Sequence, residues 1–83
     1  MSLLSDLELE AIQRRCSATK PGPWKSMVES RDHTSGDSFI LTGAGDFYLT
    51  GATIADQDFI ASARQDIPNL LGEIRLLREK VSK

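Results

Sequence analysis

The sequence predicts an α+β fold: an N-terminal helix, a three-stranded antiparallel meander and then two consecutive C-terminal helices (α-β-β-β-α-α). Three observations lead to this prediction. A helix-capping signal opens an apolar periodic segment before residue 18, short aromatic and β-branched runs occupy residues 24–50, and helical periodicity returns after residue 53. With 83 residues the chain, 1–83, is expected to form a single small domain.

The first helix is predicted from about residue 6 to residue 18. Ser5 with Glu8 three positions later is typical of a capping box, in which the serine hydroxyl accepts from the Glu8 amide. Pro21 and Pro23 prevent the helix from continuing. Its apolar side chains form two adjacent stripes, so we expect contacts on two sides, with the sheet and with another helix. One stripe contains Leu4, Leu7, Ala11 and Ala18; the other contains Leu9, Ile12 and Cys16.

Three runs in the middle of the chain are predicted as strands: residues 24–30, 38–42 and 47–50. Residues 31–37 are polar and include a glycine, which indicates a loop. The segment 43–46 has the sequence GAGD and is expected to turn between the second and third strands. Tyr48 alternates with Phe47 and Leu49, so it should face the opposite side of its strand and is the best candidate for an exposed contact.

Two helices are predicted after the sheet. Thr53 and Asp56 form a second capping box, and the helix that they open carries Phe59, Ile60 and Ala63 on one face. Asp66 can cap a new helix with Pro68 in its first turn, where a missing amide is tolerated. We therefore expect a separate final helix, residues 67–83.

The final helix carries a heptad pattern that favours pairing between chains. β-Branched residues at position a with leucine at position d are typical of parallel two-stranded coiled coils. Positions a are Ile67, Ile74 and Val81, and positions d are Leu70 and Leu77. The alternative is that this stripe packs on the chain's own sheet. Leu71 and Leu76 lie off the stripe and would be exposed on a monomer, and Glu73 and Arg78 would attract each other across a parallel dimer, so we expect an oligomer, with a homodimer as the first choice.

The segment 20–24, Lys-Pro-Gly-Pro-Trp, is predicted to act as a rigid hinge. The residues predicted to form the core at this hinge are Pro21, Gly22, Pro23 and Trp24, together with Phe59 and Ile60 of the following helix. The prolines fix the direction in which the chain leaves the first helix. We expect the indole to be buried between the first helix, the sheet and the helix that carries Phe59 and Ile60.

Composition narrows the function classes. The formal charge of −2 argues against general nucleic-acid binding, which normally requires a basic face. One cysteine allows no internal disulfide and fits a reducing, cytoplasmic setting. The sequence has no apolar run of membrane-spanning length and no basic-then-apolar start typical of a signal peptide. A core this small is usually supported by a partner subunit when disulfides and metals are absent.

No residue pattern predicts catalysis, a metal or a cofactor. His33 is the only histidine and has no second histidine or cysteine at metal-binding spacing, so a solvated loop is expected there. Gly43 and Gly45 lack the remaining residues of a phosphate-binding loop. Cys16 lies on an apolar helical face, which is typical of a small core residue. We therefore predict that the protein is not an enzyme.

Two segments resemble the Ead-like family of small accessory proteins from phage and prophage early regions. Residues 18–24, ATKPGPW, are similar to that family's Ala-Thr-Pro-Gly-Pro-Trp signature, with Lys20 as an extra residue. Residues 58–74, DFIASARQDIPNLLGEI, are similar to its Phe-Ile-Ala-x-Ala-Arg helix, which leads through Asp-Val-Pro to a leucine-rich helix. The resemblance implies a phage or prophage origin and a cytoplasmic accessory role. It implies no activity.

Two function classes follow. The first is a non-catalytic interaction module, an oligomer that also binds a host protein. The second is a binder of a small nucleotide-like ligand at an oligomer interface, with Tyr48 and Arg64 as its candidate residues.

Overall fold

The computed structural model describes residues 3–32 and 38–81 and confirms the α+β class. One long helix precedes a three-stranded antiparallel sheet and packs on a second long helix, which follows the sheet and covers it; a single helical turn follows the first strand. The elements, in chain order, are α1 (Asp6–Ser17), β1 (Lys25–Met27), α2 (Glu29–Asp32), β2 (Phe39–Thr42), β3 (Gly45–Phe47) and α3 (Ile54–Val81).

Helix α1 begins as predicted and buries one of its two apolar stripes. The Ser5 hydroxyl accepts a hydrogen bond from the Glu8 amide at 3.1 Å. Leu9 is buried, and Ile12 and Cys16 of the same stripe are half-buried. The stripe that includes Leu4 and Leu7 is largely exposed. The expectation that α1 makes contacts within the chain on both of its apolar sides is therefore wrong for this second stripe.

The sheet has the predicted meander order β1-β2-β3, but its first strand is shorter and its last strand is displaced along the sequence. The first strand was expected over residues 24–30, whereas it spans Lys25–Met27 and the helical turn α2 begins at Glu29. Ile40 of β2, which is fully buried, pairs with Phe47 of β3. The Thr42 hydroxyl donates to the Gly45 carbonyl and accepts from the Ala44 amide, so the turn closes within residues 42–45. The third strand therefore ends at Phe47, the residue at which it was expected to begin.

The two predicted C-terminal helices are one continuous 28-residue helix, α3, with Pro68 in its interior. The Thr53–Asp56 capping box opens it as expected, with both reciprocal bonds at 3.0 Å. Ala61 before the proline and Leu71 after it are both buried. Because the helix is packed on both sides of Pro68, the loss of one backbone hydrogen bond does not end it.

Two glutamines of α3 attach the helix to the sheet. Gln57 is 5% exposed, and its Nε2 lies 2.8 Å from Ser26 Oγ, 3.2 Å from the Met27 carbonyl and 3.1 Å from the Phe39 carbonyl. Gln65 binds both backbone groups of Trp24: its Oε1 accepts from the amide at 2.6 Å and its Nε2 donates to the carbonyl at 3.0 Å. A single face of α3 therefore holds the first strand.

An ion pair at the surface connects α2 to α3. Arg31 donates to both carboxylate oxygens of Asp58, at 3.1 and 3.0 Å. The hydrogen bonds from Arg31, together with one involving Ser26, lower the pKa of Asp58 to about 2.

Helix α1 lies antiparallel to α3 and is tied to the end of it. Arg78 Nη1 donates to Asp6 Oδ1 at 3.0 Å, and the same guanidinium donates to the Leu4 carbonyl. The sheet packs on the first half of α3, so the second half of α3 and the start of α1 form a projecting helical end. The molecule measures 53 × 26 × 20 Å, and its radius of gyration is 16.0 Å.

Candidate functional site

The hinge at residues 20–24 packs against the turn between β2 and β3. The Gly43 amide donates to the Pro21 carbonyl at 2.8 Å. A Cβ atom on Gly43 would lie 2.9 Å from that carbonyl oxygen, so only glycine allows this approach. The three hinge residues Pro21, Gly22 and Pro23 are exposed, and the Gly22–Pro23 peptide bond is cis. These three residues position Trp24, but they are not part of the core, where they were expected to lie.

Trp24 is half-buried, less than expected, and contacts the sheet through a T-shaped ring pair with Phe47. Its ring centroid lies 5.0 Å from that of Phe47, with the planes 74° apart. The indole Nε1 donates to the Lys20 carbonyl at 3.0 Å. Lys20 Nζ in turn lies 5.9 Å from the centre of the Phe47 ring. The hinge therefore holds the indole beside β3 with its remaining surface open.

The predicted contact between Trp24 and Phe59 is wrong. Phe59 is 75% exposed, and Ile60 is only partly covered. The buried face of α3 contains Gln57 and Ala61, and a residue two positions from Gln57 lies about 200° around the helix. Phe59 therefore points away from the sheet, and the Trp24 backbone is held by Gln65 instead.

A groove of about 540 Å³ opens between α1, α3 and Trp24. We call it the Trp24 groove. Its apolar walls come from both helices and the indole, and two arginines, Arg15 and Arg64, belong to its lining. The lining residues are Ile12, Arg15, Cys16, Thr19, Trp24, Ile60, Ala63, Arg64 and Ile67.

A second groove, of about 490 Å³, lies beyond Ile60 beside the segment that follows β3. Tyr48 and Phe59 both line it and are both exposed, as predicted for Tyr48. Ile60 lines both grooves, whereas Tyr48 lines only this one and Arg64 only the Trp24 groove. Neither of these two grooves, as the described residues form them, therefore contains both Tyr48 and Arg64.

The five heptad residues form a surface along α3 that we call the α3 stripe: Ile67, Leu70, Ile74, Leu77 and Val81. Leu70 is 60% exposed, Leu77 is 52% exposed and Val81 is 85% exposed. Ile67 is also exposed, and Ile74 is half-buried. Because most of its side chains are exposed, the α3 stripe does not pack on the chain's own sheet in the monomer.

Two details of the predicted pairing differ from the structure. Leu71, expected to be exposed, is only 3% exposed and is one of the core residues, whereas Leu76 is exposed as expected. Arg78, expected to attract Glu73 of a second chain, donates to Asp6 and to the Leu4 carbonyl of its own chain. The Arg78 guanidinium, which would pair with Glu73 in a parallel dimer, is therefore already bound to the start of α1.

Within residues 3–32 and 38–81, no group of three or more histidine, cysteine or acidic side chains could hold a metal ion. His33 lies outside the described residues. Cys16 is half-buried and lines the Trp24 groove. In the same described ranges no helix is long and apolar enough to cross a membrane.

Comparison with family models, with curated proteins and with solved structures found no match to the chain.

Proposed function

We propose that the protein is a non-catalytic interaction module that forms a homodimer through its projecting helical end. The observation that carries this proposal is the exposed α3 stripe. Leu70, Leu77 and Val81 are each more than half exposed on the monomer. Large contiguous apolar patches on a small soluble domain mark surfaces that bind another protein.

The accessible surface of the chain supports the same proposal. A compact protein of 9.1 kDa exposes about 4,900 Å², whereas this chain exposes 6152 Å². The difference of about 1,200 Å² exceeds the ~800 Å² that each partner contributes to a standard interface. The radius of gyration of 16.0 Å is likewise larger than the ~12 Å of a compact domain of this length. A second copy on the helical end, at standard interface size, would cover about 800 Å² of this excess.

Helix α1 adds apolar surface to the same end of the molecule. The bond between Arg78 and Asp6 places the start of α1 beside the last turns of α3. Leu4 and Leu7, both exposed, therefore lie at the end that carries Leu77 and Val81. In the proposed dimer each chain contributes two helices, which avoids the weakness of a coiled coil of little more than two heptads. Because Arg78 is bound to Asp6 of its own chain, it gives no electrostatic support to a parallel register. We therefore propose the surface of the dimer and no particular register of its helices.

The biological setting of the proposal comes from the resemblance to the Ead-like family. In that setting the protein is a cytoplasmic phage or prophage accessory protein, and a host protein is its further partner. The groove beside Tyr48 and Phe59 lies on the first half of α3, away from the projecting end, and so stays open in the proposed dimer.

The proposal is tested by placing charge on the α3 stripe. Leu77→Asp with Val81→Asp should convert a dimer into a monomer because the carboxylates would be buried without partners. Both side chains are exposed on the monomer, so its helix content should be unchanged. The matched control is Ser62→Asp with Asn69→Asp, which adds the same charge at exposed positions of α3 outside the stripe.

Light scattering at tens of micromolar provides the readout. We expect a dimer mass for the parent protein and for the control, and a monomer mass for the stripe variant with unchanged circular dichroism. A monomer mass for the parent protein, or a dimer that survives the stripe variant, would contradict the proposal.

A further inference from the structure

We infer that the Trp24 groove is a binding site for an amphiphilic anion, an unbranched aliphatic chain that ends in a carboxylate. This inference does not rest on the proposed dimer. The groove holds about 540 Å³, within the range of ligand sites, and its walls are largely apolar. The indole of Trp24, the side chain of Ile12 and the side chains of Ile60 and Ile67 supply the surface against which a hydrocarbon chain would pack.

The charge of the lining selects an anionic head group. Arg15 comes from α1 and Arg64 from α3, and the lining contains no acidic side chain. In the described part of the chain no carboxylate forms an ion pair with either arginine. Arg64 donates through Nε to the Lys20 carbonyl at 3.3 Å, which fixes the base of its guanidinium. Two guanidinium groups beside an apolar groove fit a carboxylate at the end of a hydrocarbon chain.

A second copy of the chain is a less suitable occupant of this groove. The last turns of α3, residues 75–81, would have to enter it, and they carry Arg75, Arg78 and Lys80 against Glu79. Arg78 is paired with Asp6, but Arg75 and Lys80 leave these turns with a net positive charge, which Arg15 and Arg64 would repel. Ile67 belongs both to the groove and to the α3 stripe, so the experiment also follows the mass of the protein.

The binding experiment uses the intrinsic emission of Trp24, the only tryptophan of the chain. The full chain is titrated with decanoate below its micelle concentration, and separately with decyltrimethylammonium, which has the same chain and the opposite charge. We expect saturable binding of decanoate with a blue shift of the emission, and no saturable binding of the cation. Octanoate should bind more weakly by about fourfold for each CH₂ removed.

Substitutions then separate the charge from the apolar surface. Arg15→Gln and Arg64→Gln should each weaken decanoate binding by about tenfold. The matched controls are Arg14→Gln on α1 and Arg75→Gln on α3, which remove the same charge at exposed positions outside the lining. Ala63→Leu should fill the groove and weaken binding without any change of charge.

Each outcome decides the inference. Equal binding of decanoate and the cation, unchanged affinity in Arg15→Gln and Arg64→Gln, or equal weakening by the two controls would overturn it. A loss of dimer mass in Arg15→Gln or Arg64→Gln would also overturn it, because a second copy would then occupy the groove. If Leu77→Asp with Val81→Asp gives a monomer that still binds decanoate, the site belongs to one chain. Failure of the dimer proposal alone leaves the decanoate result unchanged.

Discussion

Gln57 is the residue whose replacement best tests how this fold is held together. It is 5% exposed and brings one amide nitrogen within 3.2 Å of three acceptors, on Ser26, Met27 and Phe39. These acceptors belong to β1 and β2, so the side chain joins the helix to both strands. Gln57→Leu keeps much of the volume and removes the donor.

The expected cost follows from the two N–H groups of the amide. Leaving two partly buried acceptors without donors costs about 3 kcal/mol. The more apolar leucine recovers about 1 kcal/mol by burial. The net loss of about 2 kcal/mol is a large part of the stability of an 83-residue domain, which is about 4–12 kcal/mol. The melting temperature should fall by about 8–16 °C.

Urea unfolding followed by circular dichroism measures this loss directly. Gln13→Leu on α1 is the matched control, since among the described residues the Gln13 amide makes a single, exposed hydrogen bond, to Ser17 at 3.4 Å. We expect the control to change the free energy of unfolding by less than about 0.5 kcal/mol. Equal stability of Gln57→Leu and the parent protein would refute the reasoning, because the three contacts would then contribute nothing net.

Two further predictions concern backbone approach and pH. Gly43→Ala should lower the free energy of unfolding by about 1–3 kcal/mol in urea, because its Cβ would lie 2.9 Å from the Pro21 carbonyl oxygen. Gly72→Ala, whose Cβ meets nothing within 4 Å, should instead stabilise α3 by up to about 1 kcal/mol, and a loss at Gly72 equal to that at Gly43 would contradict this account. Arg31 lowers the pKa of Asp58 from 3.8 to about 2, so its contribution to stability is present above about pH 4 and is lost as the pH falls towards 2. Asp58→Asn should therefore be less stable than the parent at pH 7, and its stability should fall less steeply between pH 4 and pH 2 in acid unfolding. The same acid-unfolding curve for the variant and the parent would exclude this role for the carboxylate.

Local signals in the sequence were sufficient for the fold class, the starts of α1 and α3 and the antiparallel meander. Ser5 and the pair Thr53 and Asp56 act through hydrogen bonds to residues three positions away, so they function wherever the helix lies in the fold. The alternating middle segment likewise predicted a meander, because neighbouring strands joined by short turns pair with each other.

Local signals failed where a residue's role depends on a distant partner. Pro68 was expected to begin a new helix, but burial of Ala61 and Leu71 on either side keeps α3 continuous. Phe59 was placed in the core by its type, yet the rotation of α3 is fixed by the hydrogen bonds of Gln57 and points Phe59 outwards.

The sequence by itself determined that the chain is α+β, with capped helices, a meander and an apolar stripe along its last helix, because these properties depend on residues a few positions apart. Only the tertiary structure decided that Arg78 ties α3 to the start of α1 and that Arg15 and Arg64 line one groove. It also decided that Tyr48 and Arg64 line separate grooves. The physical reason is that the phase of α3 against the sheet and against α1 is set by packing and hydrogen bonds between residues as far apart as 74 positions in the chain.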